Sequence, residues 1–267
     1  GATVWISNPA WPVHIPLMGS VGLKFKTYRY YDPVSHGVDF DGMATDLKGA
    51  KKGDVVLLHG CCHNPSGADL TLEQWGHIAD MALIQGFTVL VDLAYQGMGT
   101  DLEADVAGLR LMADRLGELI VAASCSKNLG LYRERTGVAL FFGKDAQIAE
   151  ATHSHGLGAA RRVYSMPPAH GALLAGRVLS DPTLRASWEL ELQEICARMI
   201  DLRTQLSAKL SEKTNQDFSF ISKEKGMFSF LGLSVEQARG LRKERGLYML
   251  DSSRINVAAL NQQNMDI

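Results

Sequence analysis

The sequence predicts an α/β fold, with a mostly parallel sheet covered by helices and a smaller α+β domain after it. Short runs rich in valine, leucine and isoleucine alternate with helical patterns in the first half of the chain. These runs are continuously apolar, which is typical of strands covered on both faces. A long amphipathic pattern then leads to shorter elements. Strands that alternate with helices indicate a parallel sheet.

Four apolar runs are the strand candidates: residues 54–59, 87–92, 119–124 and 137–142. The first two are separated by a helical pattern. It begins with a possible capping box, in which Thr71 and Gln74 satisfy each other's backbone amides. The apolar stripe of this helix consists of Leu72, Trp75, Ala79 and Ala82.

A second helix is predicted at residues 103–116, between the second and third strands. Asp181 is a plausible N-cap, and Pro182 suits the first turn of the next helix. Apolar residues at steps of three and four then predict one long helix over about residues 182–213.

Shorter elements follow this long helix. Strands are predicted at 218–221, 227–230 and 254–257, with a helix at 234–245. We therefore expect a large domain over residues 1–194 and a small one over residues 195–267, joined by the long helix.

Bulk properties narrow the function classes. The 267 residues carry a formal charge of -2, so nothing in the charge favours nucleic acid or an anionic membrane as a partner. No apolar run is long enough to span a bilayer. The four cysteines fit no disulfide framework, which favours a cytoplasmic location. Both ends of the sequence look like cuts through a longer protein.

Polar groups follow three of the predicted strands: His59 to Gly67, Asp92 to Tyr95, and Ser124 to Lys127. In a parallel sheet these ends meet at one edge, where ligands bind. Asp92 is either a loop or N-cap aspartate or a partner for a protonated pyridine nitrogen, as in pyridoxal phosphate enzymes. Lys127 is either a surface residue or an amine that attacks an aldehyde.

Two other kinds of site deserve comparison. Ser124 and Lys127 match the S-x-x-K motif of serine acylases, but the S-D-N and K-T-G partner motifs are missing from the sequence. His59 and His63 flank two cysteines, yet their spacing matches no common zinc pattern. A turn through Asn64, Pro65 and Gly67 explains that segment better, so we expect no metal.

Seven segments together resemble the aspartate/aromatic aminotransferases, of the fold-type-I pyridoxal phosphate enzymes. In chain order they are SNPAWPVH (7–14), HGCCHNPSG (59–67), DLAYQG (92–97), SCSKNLGLYRERTG (124–137), YSMPPAHG (164–171), GMFSF (226–230) and SRINV (253–257). The resemblance covers nearly the whole chain. It implies transamination between an aspartate or aromatic amino acid and a 2-oxo acid such as 2-oxoglutarate, by a ping-pong mechanism.

The resemblance also implies a role for each matched residue. Lys127 would form a Schiff base with pyridoxal 5'-phosphate and carry the transferred proton. Cofactor contacts would come from Asp92, Tyr95, Asn64, Ser124, Ser126, Arg135 and Trp11. Arg254 would bind the substrate α-carboxylate, with Asn64 and Trp11 beside it. Arg161 would reach a dicarboxylic substrate across the interface of a homodimer.

Two alternative functions remain at this point. One is a homologue that has lost catalysis and serves a binding or structural role. The other is a serine acylase that uses Ser124 and Lys127. Retention of Lys127, Asp92, Arg135 and Arg254 together argues against the first.

Overall fold

The computed structural model describes residues 1–265, and its largest feature is a six-stranded sheet. The strands of the described residues are β1 (Thr3–Asn8), β2 (Lys24–Arg29), β3 (Tyr31–Asp32), β4 (Gly37–Val38), β5 (Val55–His59), β6 (Thr88–Leu93), β7 (Leu119–Ser124), β8 (Gly137–Phe142), β9 (Phe228–Phe230) and β10 (Arg254–Asn256). The sheet has the order β2-β1-β5-β6-β7-β8. All of its pairings are parallel except that of β7 with β8. The predicted mostly parallel α/β sheet is confirmed.

The α-helices lie between these strands along the chain. They are α1 (His14–Ser20), α2 (Phe40–Leu47), α3 (Leu72–Gln85), α4 (Ala107–Arg115), α5 (Ala146–Tyr164), α6 (His170–Ser180), α7 (Pro182–Thr214), α8 (Phe220–Lys223) and α9 (Val235–Arg245). Within residues 1–265, none of these helices is both long and apolar enough to cross a membrane.

The capping box predicted for α3 is present. The Thr71 hydroxyl accepts from the Gln74 amide, and the Gln74 side chain accepts from the Thr71 amide. Gly86 ends the helix in the left-handed conformation, with φ at 77°. These local signals fix the length of α3, and Trp75 and Ile78 on its inner face are buried in the main core.

Strand β5 is covered on both faces, as its continuous apolar sequence predicts, whereas Leu90 of β6 is only half-buried and Ala122 of β7 is exposed. Val56, Leu57, Leu58, Val89 and Val91 are all almost fully buried. Strand β8 is different, although its sequence is equally apolar. It lies at the edge of the sheet, and Val138, Leu140 and Phe142 are each more than 40% exposed in the described chain. The prediction of two covered faces is therefore wrong for β8.

The region after α6 is built around the 33-residue helix α7. Asp181 caps it by accepting from the Thr183 and Leu184 amides, and Pro182 stands in its first turn. Strands β9 and β10 form a separate antiparallel pair, and α9 begins with a capping box of Ser234 and Gln237. The domain division at residue 194 stays a prediction, and residues 266 and 267 of the predicted small domain lie outside the described residues.

The strand predicted at residues 218–221 is wrong, because the chain forms α8 there. Phe220 and Ile221 are adjacent and both buried, and they pack with Leu206 and Leu210 of α7. A strand would turn adjacent side chains to opposite faces, whereas one helical turn places both beneath the long helix.

Candidate active site

The carboxyl ends of β5, β6 and β7 meet at one edge of the sheet, as the sequence predicts. In the strand register His59 stands opposite Asp92, and the Gly60 amide donates to the Asp92 carbonyl at 2.8 Å. A cavity of 160 Å³ opens at this edge. Its lining residues are Trp11, His59, Asn64, Asp92, Ala94, Tyr95, Ser124, Ser126, Lys127, Tyr132 and Arg135. All the predicted site residues except Arg254 and Arg161 therefore line one cavity.

Asp92 is held in the cavity wall by a histidine from α1. His14 Nε2 lies 2.9 Å from Asp92 Oδ2, and the His14 side chain is only 3% exposed. Burial alone would raise the pKa of Asp92. The His14 hydrogen bond and the electrostatic influence of His59, His14 and Lys127 outweigh that effect, so the pKa of Asp92 is lowered. Asp92 is thus a stable carboxylate, suited to a cationic partner.

Lys127 is half-buried and lies against aromatic rings. Its Nζ is 4.7 Å from the centre of the Tyr95 ring and 5.6 Å from that of Tyr132. Burial lowers the pKa of Lys127, the nearby Asp92 charge raises it, and the Arg135 charge lowers it. The net result is a lowered pKa, which increases the fraction of nucleophilic free amine at neutral pH.

Asn64 connects the cavity to the small β-sheet. Its Nδ2 donates to the Tyr95 hydroxyl at 3.4 Å, and its Oδ1 accepts from Arg254 Nη1 at 3.1 Å. Burial raises the pKa of Tyr95 to about 12, so the phenol keeps its proton at neutral pH. Arg254 lies with its guanidinium carbon 4.4 Å from the centre of the Phe228 ring. The structure thus places Arg254 beside the cavity, one hydrogen bond from its wall.

Hydroxyl and guanidinium groups collect at the end of β7. Ser124 Oγ donates to Ser126 Oγ at 2.9 Å and accepts from the Ser126 amide at 3.1 Å. Arg135 returns to the same cavity at the end of the loop, where its φ is 54°, and Nη1 donates to the Tyr132 carbonyl at 2.9 Å. Hydroxyls and a planar guanidinium are suitable ligands for a phosphate.

Two predicted residues lie at the periphery. Trp11 is 38% exposed at the cavity mouth, with its ring edge-on to His14 at 5.2 Å. Arg161 lies in the last turn of α5, is exposed, and is not among the cavity-lining residues of this single chain. Its predicted role requires a second chain and remains a prediction.

The sequence argument assigned no role to three groups at the site: His14, Tyr132 and His59. All three stand inside the recognised segments, so their positions were available as a signal. His59 is buried, and burial lowers its pKa to about 4, which keeps its ring neutral. The ring of His14 packs edge-on against it at 5.2 Å. A neutral His59 forms no ion pair with Asp92, so the negative charge of Asp92 stays available for a ligand.

The serine acylase alternative gains no support from the geometry. Ser124 ends a strand rather than opening a helix, and its hydroxyl donates to Ser126. A serine activated by lysine would instead donate toward that amine.

Among the described residues, the possible metal-ligand atoms of Cys61, Cys62 and Asp105 lie within 4.8 Å of one another. Asp105 already accepts three backbone amide bonds, from Gly97, Gly99 and Thr100.

Comparison with known proteins identifies the family. The profile of aminotransferase class I and II matches residues 1–267. The chain is 49% identical to an aromatic-amino-acid aminotransferase of Paracoccus denitrificans, over 99% of this chain and 67% of that protein. It is 47% identical to an aspartate aminotransferase of Escherichia coli, over 98% of this chain and 66% of that protein. The chain belongs to the class I and II aminotransferase family.

A solved aminotransferase structure agrees with this assignment. The aromatic-amino-acid aminotransferase of Burkholderia pseudomallei, described as covalently bound to pyridoxal phosphate, superposes with a TM-score of 0.97 at 40% identity. The match covers 99% of this chain and 67% of that one. This aminotransferase chain therefore spans about two thirds of the length of the relatives it matches. The predictions of family, fold class, enzyme class and cofactor are confirmed.

The residues of this aminotransferase chain fit pyridoxal phosphate. The cavity presents an amine of lowered pKa and a partly buried carboxylate of lowered pKa, at Lys127 and Asp92. Hydroxyl groups and a guanidinium lie on another part of the wall, at Ser124, Ser126 and Arg135. These are respectively the partners that an aldehyde, a protonated pyridine nitrogen and a phosphate require.

Proposed function

We propose that this chain forms the main part of an aminotransferase active site, which moves an amino group from an aspartate or aromatic amino acid to a 2-oxo acid such as 2-oxoglutarate. The observation that best supports this proposal is that Lys127 and Asp92 line one cavity at the ends of adjacent strands. Bound pyridoxal phosphate supplies an aldehyde and an electron-withdrawing ring. No feature of the site favours a binding or structural role instead.

The side chains of the cavity have separate roles in cofactor binding and proton transfer. Lys127 Nζ, kept partly unprotonated by burial, binds the cofactor and then accepts a proton from the substrate Cα. Asp92, with His14 behind it, holds the pyridine nitrogen in its protonated form. Asn64 and Tyr95 orient the ring oxygen, Trp11 covers the ring face, and Ser124, Ser126 and Arg135 hold the phosphate.

Substrate binding rests mainly on Arg254. A guanidinium binds a carboxylate through two parallel hydrogen bonds. Arg254 lies beside the cavity, with its guanidinium packed over the Phe228 ring, which we call the platform. Arg161 would serve a dicarboxylic side chain from the neighbouring subunit of a homodimer. Its exposure at the end of α5 leaves it available for that role. We also propose a cytoplasmic location, in line with four free cysteines.

A spectroscopic experiment tests the proposal. With added pyridoxal phosphate, the chain should gain an absorbance band in the near-ultraviolet or visible. Borohydride should remove that band and leave the cofactor attached to Lys127, as mass spectrometry of peptides would show. Lys127→Ala should lower the transamination rate by roughly 10²–10⁴-fold, the usual effect of a positioned acid–base group.

Lys144→Ala changes an exposed lysine outside the cavity, and it should retain both the band and the activity. A chain that binds the cofactor through some other lysine, or forms no band at all, would contradict the proposed function. An acyl adduct on Ser124 would point to the serine acylase instead.

A further inference from the structure

Arg203 is a buried cation with an unusually complete set of acceptors. It lies on α7 and is only 1% exposed. Its Nε donates to the Gly226 carbonyl at 3.1 Å, and Nη1 donates to the Ile221 carbonyl at 3.0 Å. Its Nη2 donates to the carbonyls of Lys225, Gly226 and Phe228 at 3.2, 2.9 and 2.6 Å. Among the partners within residues 1–265, Glu224 is the one carboxyl group, at 3.4 Å, and burial raises its pKa to about 8.

Most of these acceptors are backbone carbonyls rather than carboxylates. An arginine that served only to balance a buried acid would not need them. A guanidinium that donates to several carbonyls of one short segment fixes the conformation of that backbone, because its donors are held in a rigid plane. Arg203 therefore defines the path of residues 221–228.

That segment is pressed against the turn that carries Asn64. The Lys225 amide donates to the Gly67 carbonyl at 2.7 Å. A Cβ on Gly67 would come within 2.6 Å of the Phe228 carbonyl oxygen, so only glycine allows this approach. The same Phe228 carbonyl is the acceptor closest to Arg203. Arg203 thus holds the segment at the point where it meets the cavity wall.

The segment ends in the platform beneath Arg254. The Phe228 ring lies 4.4 Å from the Arg254 guanidinium carbon, and Arg254 reaches across to Asn64 Oδ1 at 3.1 Å. Strand β9, which carries Phe228, also pairs with β10, which carries Arg254. The position of the Arg254 guanidinium therefore depends on the backbone that Arg203 holds.

We propose that Arg203 is a positioning residue for carboxylate binding, acting through Phe228 on Arg254. This rests on the proposed function, in which Arg254 binds the substrate α-carboxylate. Arg203 itself touches no cavity-lining side chain among its hydrogen-bond partners. Arg203 preorganises the Arg254 guanidinium that binds the carboxylate. Loss of Arg203 should therefore weaken substrate binding more than it slows the chemistry at Lys127.

The central experiment uses Arg203→Lys, which keeps the charge and loses the planar set of donors. The KM for amino acid and for 2-oxo acid should rise about 10- to 100-fold, the effect of losing one or two buried hydrogen bonds. We expect kcat to change far less, and the pH titration of the cofactor absorbance band to stay as in the unsubstituted chain. Arg185→Lys, on the same helix but in an exposed pair with Glu189, is the matched control and should leave KM unchanged.

A double-mutant cycle shows whether the effect passes through Arg254. In an Arg254→Lys background, Arg203→Lys should add little further loss of kcat/KM. An amine substrate without a carboxylate should react equally with both Arg203 forms. Phe228→Leu removes the ring that packs against Arg254 and leaves α7 intact. It should also raise KM, and it serves as the second variant if Arg203→Lys folds poorly. Additive losses, or an equal loss with the carboxylate-free amine, would overturn the proposal.

Failure of this inference can be told apart from failure of the proposed function. If the unsubstituted chain shows no reaction with an amino acid, the proposed function fails, and carboxylate binding is then measured directly. Calorimetric titration with succinate, which carries no reactive group, should show weaker binding for Arg203→Lys and for Arg254→Lys. Unchanged succinate binding in the Arg203 variant would contradict the positioning role.

Discussion

At the scale of single residues, the chemistry of the site depends on how neighbours act on one amine. Burial lowers the pKa of Lys127, and two charged groups at the cavity act on it in opposite directions. Asp92 raises that pKa and Arg135 lowers it. The amine is thus kept available while the charge of Asp92, which lines the same cavity, still acts on it. This balance is open to a direct test with two charge-removing substitutions.

Asp92→Asn and Arg135→Gln should shift the titration of Lys127 in opposite directions. Removal of the Asp92 charge leaves burial and Arg135 to lower the pKa further, so the amine should become reactive at lower pH. Removal of the Arg135 charge should raise the pKa and move the reactivity to higher pH. The measurement is the pH profile of amine labelling at Lys127 in chain without added cofactor, followed by mass spectrometry. Shifts in the same direction would contradict this account.

At the scale of elements, α7 supports both parts of the site. Near the beginning of α7, Trp188 Nε1 donates to the Asn128 carbonyl at 2.7 Å. Asn128 directly follows Lys127 in the chain. Four turns further along, Arg203 holds the segment that carries Phe228. One helix therefore contacts the backbone on the cofactor side and the backbone on the substrate side. A rigid helix is a suitable element for keeping two such regions in register.

Trp188→Phe should loosen the backbone that carries Lys127. An aromatic ring is kept, but the Asn128 carbonyl loses the indole donor, which we expect to lower the free energy of unfolding by about 1–3 kcal/mol. The affinity for pyridoxal phosphate, measured by absorbance titration, should fall as well. Trp75→Phe is the control, since Trp75 is buried in the main core against α4 rather than beside Lys127. An equal loss of cofactor affinity in both variants would argue against a specific role for Trp188.

At the scale of the whole molecule, the single chain leaves one predicted residue away from the cavity. Arg161 is exposed at the end of α5, and no residue of α5 is buried in the described chain. A homodimer with shared active sites would bring a second copy of Arg161 to the site. In a twofold dimer the exchange is reciprocal, so each subunit would both give and receive this arginine.

Mixed dimers test this arrangement. A Lys127→Ala chain and an Arg161→Met chain should each be weakly active with aspartate. Reassembled together, they should recover about a quarter of the unsubstituted activity, because half of the dimers are mixed and each contains one complete site. Arg162→Met is the matched control and should be active by itself. No recovery in dimers proven to be mixed would contradict the exchange of Arg161.

Much of the cavity could be predicted from the sequence because its parts stand at strand ends. Asp92 and Lys127 each follow an apolar run, and parallel strands bring such ends to one edge. The start of α3 was equally accessible, since Thr71 and Gln74 interact within one turn of the chain. These signals are local, and local interactions are what a sequence pattern records. The resemblance to aminotransferases then supplied the chemistry of each position.

Contacts between distant parts of the chain could be decided only by the tertiary structure. His14 meets Asp92 across 78 residues, Arg254 meets Asn64 across 190, and Arg203 on α7 donates to the Phe228 carbonyl across 25. The exposure of β8 and the helical turn of α8 also follow from packing, since their apolar sequences fit a buried strand equally well. Which apolar face is covered, and which polar groups meet, depends on the placement of whole elements, and residue order alone does not contain that placement.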